Sequence, residues 1–163
     1  MDERLYSPVI DALERAPSLV VPLVREVPAA ILKRRPAPAK WSAHEHACHL
    51  AAVHPLFFER LDLMLSQEHP TIRPYLPDQD DPDDALLRVD LEEALARFQQ
   101  DRARLVSRLR TLAPADWDRT AEHGEYARYS VFIMFRHVAM HDHLHAYRIE
   151  ELLLKKDWPA QGP

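Results

Sequence analysis

At 163 residues and a net charge of −5, the chain is long enough for one domain with a hydrophobic core, and it has no basic track for a nucleic-acid backbone. The lone Cys48 excludes an internal disulfide framework, the N-terminus has no basic-then-apolar signal pattern, and no apolar run approaches the ~20 residues of a membrane span. The expectation is one domain over residues 1–163, reduced and cytoplasmic, with neither nucleic-acid nor membrane partners.

Only two Gly stand against 14 Pro, a balance that suits long helices joined by stiff connections. In the first segment Leu5, Val9, Leu13, Val20, Leu23 and Val27 recur at helical spacing from about residue 3 to 26, and Pro17 predicts a kink or break. A short turn over 29–34 leads to an extended connector at 35–40, because each residue before Pro is pushed away from helix. Ser42 with Glu45 three residues later forms a capping box, opening a helix that runs to about Gln67. From His69 to Asp90, Pro70, Pro74, Pro77 and Pro82 alternate with Asp78, Asp80, Asp81, Asp83 and Asp84, which predicts a long crossover loop, either a lid or a solvated linker. Leu91, Leu95, Phe98, Arg102, Leu105, Leu109 and Leu112 then form a heptad-like stripe broken only by Arg102, which either snorkels to solvent or faces a polar cavity. An irregular link over 114–129 carries Trp117, His123 and Gly124, and Ser130 caps the last helix. Four long helices without a strand pattern predict an all-α four-helix bundle, with the long crossover between its second and third helices.

The last helix carries His137, His141, His143 and His145. Residues four apart share a helix face, so His141 and His145 can grip one ion, and His137 lies a turn earlier as a fourth ligand, a supporting group or a polar wall. A third ligand must come from another helix, and His49 is the best donor because it continues the apolar spacing of Leu50, Val53, Phe57 and Leu61. Hydrogen-bonded core or surface histidines are the competing reading. His44, His46, His54 and His143 are not expected to be ligands, although His46 shares nearly the face of His49. Arg102, Asp142 and Glu45 are the candidate catalytic groups: either acid could orient an imidazole or handle a proton. Cys48 points away from His49 and reads as a buried small side chain.

Several motifs appear together in order: Arg35-Pro36 through Lys40-Trp41-Ser42, then His49-Leu50, then Glu122-His123-Gly124-Glu125-Tyr126, then His137-x-x-x-His141-Asp142-x-x-His145. In this combination the chain resembles the DinB-like, or YfiT-like, superfamily of metal-binding four-helix proteins. The resemblance implies a divalent metal, zinc or nickel first, held by His49, His141 and His145, and a homodimer. Iron, cobalt and copper also suit three imidazoles with a vacant position. Some relatives look like transferases or isomerases that use bacillithiol, mycothiol or glutathione, and others are labelled metal-dependent hydrolases. The leading expectation is transfer of a low-molecular-weight thiol to a small electrophile. Its alternatives are hydrolysis by metal-activated water and a non-enzymatic metal- or ligand-binding stress-response module.

Overall fold

Four long helical stretches pack side by side in the computed structural model, which describes residues 1–75 and 84–158. Helix α1 (Glu3–Glu26) opens at Asp2, whose carboxylate accepts the Arg4 N–H at 2.9 Å. It is the single helix expected, continuous through Pro8, Pro17 and Pro22, so of the two outcomes expected near Pro17, a kink or a break, the break does not occur. A helix-interior proline costs ~3 kcal/mol, but α1 buries Tyr6, Val9, Ile10, Leu13, Ala16, Val20, Val21 and Val24, and each large apolar side chain returns ~1.5–3 kcal/mol. Burial therefore outweighs the lost backbone bonds. Leu5, expected on the stripe, is exposed, while Tyr6 takes the inward place and stacks on Trp117 at 4.6 Å.

Helix α2 (Ala29–Leu32) is the expected short turn, but the connector after it is bent rather than extended, closed by Lys40 N–H to Ala37 O at 3.0 Å. The single helix expected after Ser42 is two: α3 (Ala43–Ala52) and α4 (His54–Ser66). The division follows from Pro55, which has no N–H for the Ala51 carbonyl and whose ring crowds that carbonyl. Helix α5 (Leu91–Leu109) starts at Asp90, which accepts the Glu93 N–H at 2.9 Å. Helix α6 (Val131–Leu153) starts at Ser130, which accepts the Ile133 N–H at 3.2 Å. Among the described residues, none of these helices is long and apolar enough to cross a membrane.

Both α1 and α3 pack against α5 and α6, so the bundle places α1 diagonally across from α3. Two apolar clusters give the helix directions. One joins Tyr6 to Leu13 of α1, Phe57 to Met64 of α4, Leu105 to Leu109 of α5 and Val131 to Ala139 of α6. The other joins the C-terminal half of α1, all of α3, the N-terminal half of α5 and the C-terminal half of α6. Helices α1 and α6 thus run one way, and α3, α4 and α5 the other. Because α4 and α5 are parallel, the chain between them must return along the bundle.

That return begins with a strand the sequence pattern did not announce. Two residues, β1 (Thr71–Ile72), pair in parallel with β2 (Glu122–His123) in the α5–α6 link, Thr71 opposite Glu122 and Ile72 opposite His123. Strands this short are too brief to show alternation. Pro74 then approaches Gly124 so closely that a Cβ there would lie 3.0 Å from the Pro74 Cγ. Pro77, Asp78, Asp80, Asp81, Pro82 and Asp83 lie outside the described residues, and the lid expectation lies there with them. The chain resumes at Asp84, which pairs with Arg35 at 2.7 Å, and a 3₁₀ turn over Leu86–Arg88 leads into α5.

Candidate metal centre and its cavity

Helix α3 is set by the capping box before it aims any histidine. The Ser42 Oγ accepts the Glu45 N–H at 3.3 Å, and the Glu45 carboxylate accepts the Ser42 N–H at 2.8 Å. Arg35 then closes over Glu45, its Nε 3.0 Å from each carboxylate oxygen. Burial by itself would raise the Glu45 carboxyl, but the bonds from Arg35 and Ser42 outweigh it and hold the group below the usual carboxylate range. With its oxygens engaged by Arg35 and Ser42, Glu45 orients no imidazole. Its expected proton-handling role has no geometric support.

One helical turn separates His141 and His145 on α6, and their rings meet His49 from α3. His49 Nε2 lies 3.2 Å from His141 Nε2, which lies 3.0 Å from His145 Nε2. One nitrogen from each of the three rings lies within 4.8 Å of the other two. Three nitrogens at about 2.0–2.1 Å from one ion would be about 2.9–3.4 Å apart, and the separations of His141 from His49 and from His145 fall in that range, as a shared cation requires. Protonation states suit it as well. Burial first, then neighbouring imidazoles, pushes His49 down to about 3. Burial, His137 and Arg102 push His141 down to about 4. His145 is lowered in the same way, by burial and then by His141 and His49. Neutral rings present the lone pairs that a metal requires.

His145 has a partner on its other side: His46 Nδ1 lies 2.8 Å from His145 Nδ1. Trp41 packs over the group, its ring centroid 4.8 Å from that of His49 and 5.9 Å from that of His145. The Nδ1 atoms of His49 and His141 are buried without a hydrogen-bond partner among the described residues. Ring packing, not a carboxylate, sets their orientation. His143 turns away and donates from Nδ1 to the Ala139 carbonyl at 2.7 Å.

Asp142, a candidate to orient an imidazole or handle a proton, does neither among the described residues. It is 1% exposed and aims into the core at Arg102. Arg102 neither snorkels to solvent nor depends on a polar cavity for partners. It donates from Nη2 to Asp142 Oδ1 at 3.1 Å, from Nη1 to the other carboxylate oxygen and to Leu13 O at 3.2 Å, and from Nε to His54 Nε2 at 3.1 Å. Burial raises the Asp142 carboxyl and the guanidinium pulls against that rise. Desolvation, then the Arg102 charge, pushes His54 down to about 3 and keeps its Nε2 an acceptor. The network bridges the diagonal helices α5 and α6. Cys48 is buried, and desolvation raises its thiol to about 11, so it is not a nucleophile at neutral pH.

Beside the three rings lies a cavity of about 200 Å³, with His49 and His141 on its wall. Val53, Leu56, Phe57, Tyr75 and Tyr129 supply its apolar surface, and Arg60, His123, Glu125, Tyr126 and His137 its polar surface. His137 is exposed there, its ring centroid 6.4 Å from that of His141, so its place is on the wall of the cavity. The sequence reading missed Arg60 and the tyrosines. Arg60 had a signal, since it follows His49 by about three helical turns on nearly the same face. Tyr75 and Tyr129 had none, because only the β1–β2 pairing brings their segments together.

Comparison with known proteins places this geometry. The model of the DinB superfamily matches residues 12–149. A protein of Oceanobacillus iheyensis, named as a proposed metal-dependent hydrolase, is 31% identical over 121 residues, covering 72% of this chain and 68% of that one. The solved structure of YfiT from Bacillus subtilis, described as a probable metal-dependent hydrolase with an unusual four-helix bundle topology, superposes with a TM-score of 0.82 at 25% identity. That match covers 93% of this chain and 87% of YfiT. From the matched family model, the shared four-helix architecture and the relatives at these identities, the chain belongs to the DinB superfamily.

Proposed function

We propose that the protein is a divalent-metal-dependent enzyme that transfers a low-molecular-weight thiol to a small electrophile, with His49, His141 and His145 as the metal ligands. One observation carries this reading: three neutral imidazoles converge beside a small cavity, while the nearby carboxylates of Glu45 and Asp142 are both held by arginines. A divalent ion there would supply Lewis acidity without loss of its charge to anionic ligands, which favours deprotonation of a thiol at neutral pH. The chain contributes the rest. His46 fixes His145, Trp41 screens the rings from water, and the aromatic wall of Phe57, Tyr75 and Tyr129 holds the apolar part of an electrophile.

Zinc or nickel is the proposed metal, and iron, cobalt or copper would suit the same donor set. The proposed working unit is a homodimer, for which Met140, Leu144 and Tyr147, at 67%, 51% and 59% exposure, offer an apolar face along α6. Sedimentation as a monomer at micromolar concentration would remove that part.

Hydrolysis is the second reading, favoured by the descriptions of both relatives and by His137 and Glu125 on the cavity wall, where either could accept a proton from water. The test uses metal-loaded protein, a panel of electrophiles and three thiols: bacillithiol, mycothiol and glutathione. Conjugation that requires both metal and thiol supports transfer, as does a thiol-dependent change in the spectrum of cobalt-substituted protein. Metal-dependent ester or amide turnover that ignores thiols selects hydrolysis. Tight ligand binding without product over many hours selects a binding module and ends both enzymatic readings.

A further inference from the structure

Among the described residues, the cavity beside the histidine cluster holds a buried cation with no buried anion. Arg60 on α4 is 9% exposed, and among the described residues it makes no ion pair. The other two buried or half-buried arginines near the centre are neutralised, Arg102 by Asp142 and Arg35 by Glu45 and Asp84. Arg60 instead donates from Nη2 to the Arg73 carbonyl at 2.7 Å, lies 5.9 Å from the Phe57 ring centre, and neighbours the Tyr129 hydroxyl and His123. A guanidinium has five N–H donors, and these neutral contacts leave most of them open. Keeping an uncompensated ion out of water is costly, so buried charges in proteins are normally paired. Among the described residues, no buried counter-charge stands on the wall. Glu125, the sole carboxylate lining the cavity among the described residues, sits exposed and forms no bridge to Arg60.

We propose that Arg60 is a recognition site for the carboxylate of a small organic acid that enters the cavity beside His49 and His141. This rests on the reading of that cavity as the reaction site and names the class of molecule it takes. The planar fork of arginine matches a carboxylate with two parallel hydrogen bonds. The volume, equal to about seven waters, and the walls of Leu56, Phe57, Tyr75 and Tyr129 fit a short apolar or aromatic body behind that group. Inorganic phosphate would leave those apolar walls uncovered.

Calorimetric titration of the protein as purified, with benzoate and its neutral isostere benzamide, tests the assignment. Benzoate should bind about 10–100-fold more tightly than benzamide, the range for hydrogen bonds to a charged group. R60M should bring benzoate down to the benzamide level, R60K should restore part of it, and phosphate should bind no better than benzamide. Metal content, measured on the same samples, should be the same in R60M as in the unsubstituted protein, which separates loss of the anion site from loss of the metal centre. Equal binding of benzoate and benzamide overturns the proposal, as does benzoate binding unchanged in R60M or matched by phosphate. If R60M does not fold by circular dichroism, R60K decides in its place, because it keeps the charge and loses the fork: benzoate binding should weaken in it at unchanged metal content, and benzoate binding unchanged in R60K overturns the proposal. Thiol transfer and metal loading are read in separate assays, so their failure and the failure of this site are distinguishable.

Discussion

The Nδ1 atoms of His46 and His145 lie 2.8 Å apart, and only one of them can donate. If His145 turns the Nε2 lone pair toward His49 and His141, its proton must be on Nδ1, and His46 must accept there and carry its own proton on Nε2. Burial pushes His46 down to about 4, so the acceptor stays unprotonated at neutral pH. His46 is thus a positioning residue for the ring that His145 offers. Replacing it with Ala should weaken metal affinity about 10–100-fold, the usual cost of losing such a partner. A chromophoric chelator in competition would measure it, and an unchanged dissociation constant would refute the role.

Arg102 and Asp142 form the most deeply buried ion pair among the described residues, and each is the other's charge partner. Arg102→Met leaves a carboxylate in the core and should cost about 3–5 kcal/mol in urea unfolding. Arg102→Met with Asp142→Leu removes both charges and should recover most of that loss. A single variant as stable as the unsubstituted protein would show that the pair is not what joins α5 to α6.

Acid should weaken the metal-free protein in a defined window. His49, His54 and His141 fall from an ordinary 6.5 to about 3, about 3 and about 4 in the folded state. The unfolded chain therefore takes up protons near pH 6.5 that the folded chain refuses, so stability is fully present above that pH and is lost as pH falls toward about 4. The melting temperature should be level from pH 7 to 8 and drop steadily below 6.5. A flat profile down to pH 4 would mean that these rings are not held neutral by the fold.

Much of the centre was legible because local spacing fixes it. His141 and His145 share a face by the 3.6-residue repeat, and the Ser42–Glu45 box marked where α3 begins, which sets the face of His49. What spacing could not supply was the identity of partners across helices. Arg102 was visible as a charge at a core position, but its pairing with Asp142 depends on α5 and α6 facing each other diagonally. Glu45 read as a candidate to orient an imidazole or handle a proton, and the bent connector instead brings Arg35 onto it. The division of the second helix was local and was overlooked, since Pro55 alone announces it. The continuous α1 shows the reverse: Pro17 argued for a kink or a break, and the tertiary burial of one continuous stripe keeps the helix whole.

The most direct measurement is elemental analysis of protein purified without an affinity tag, comparing the unsubstituted chain with His141→Ala and His143→Ala. A shared site on His49, His141 and His145 predicts about one divalent ion per chain, lost in His141→Ala and retained in His143→Ala. Equal metal content in all three proteins, or none in the unsubstituted one, would contradict the account.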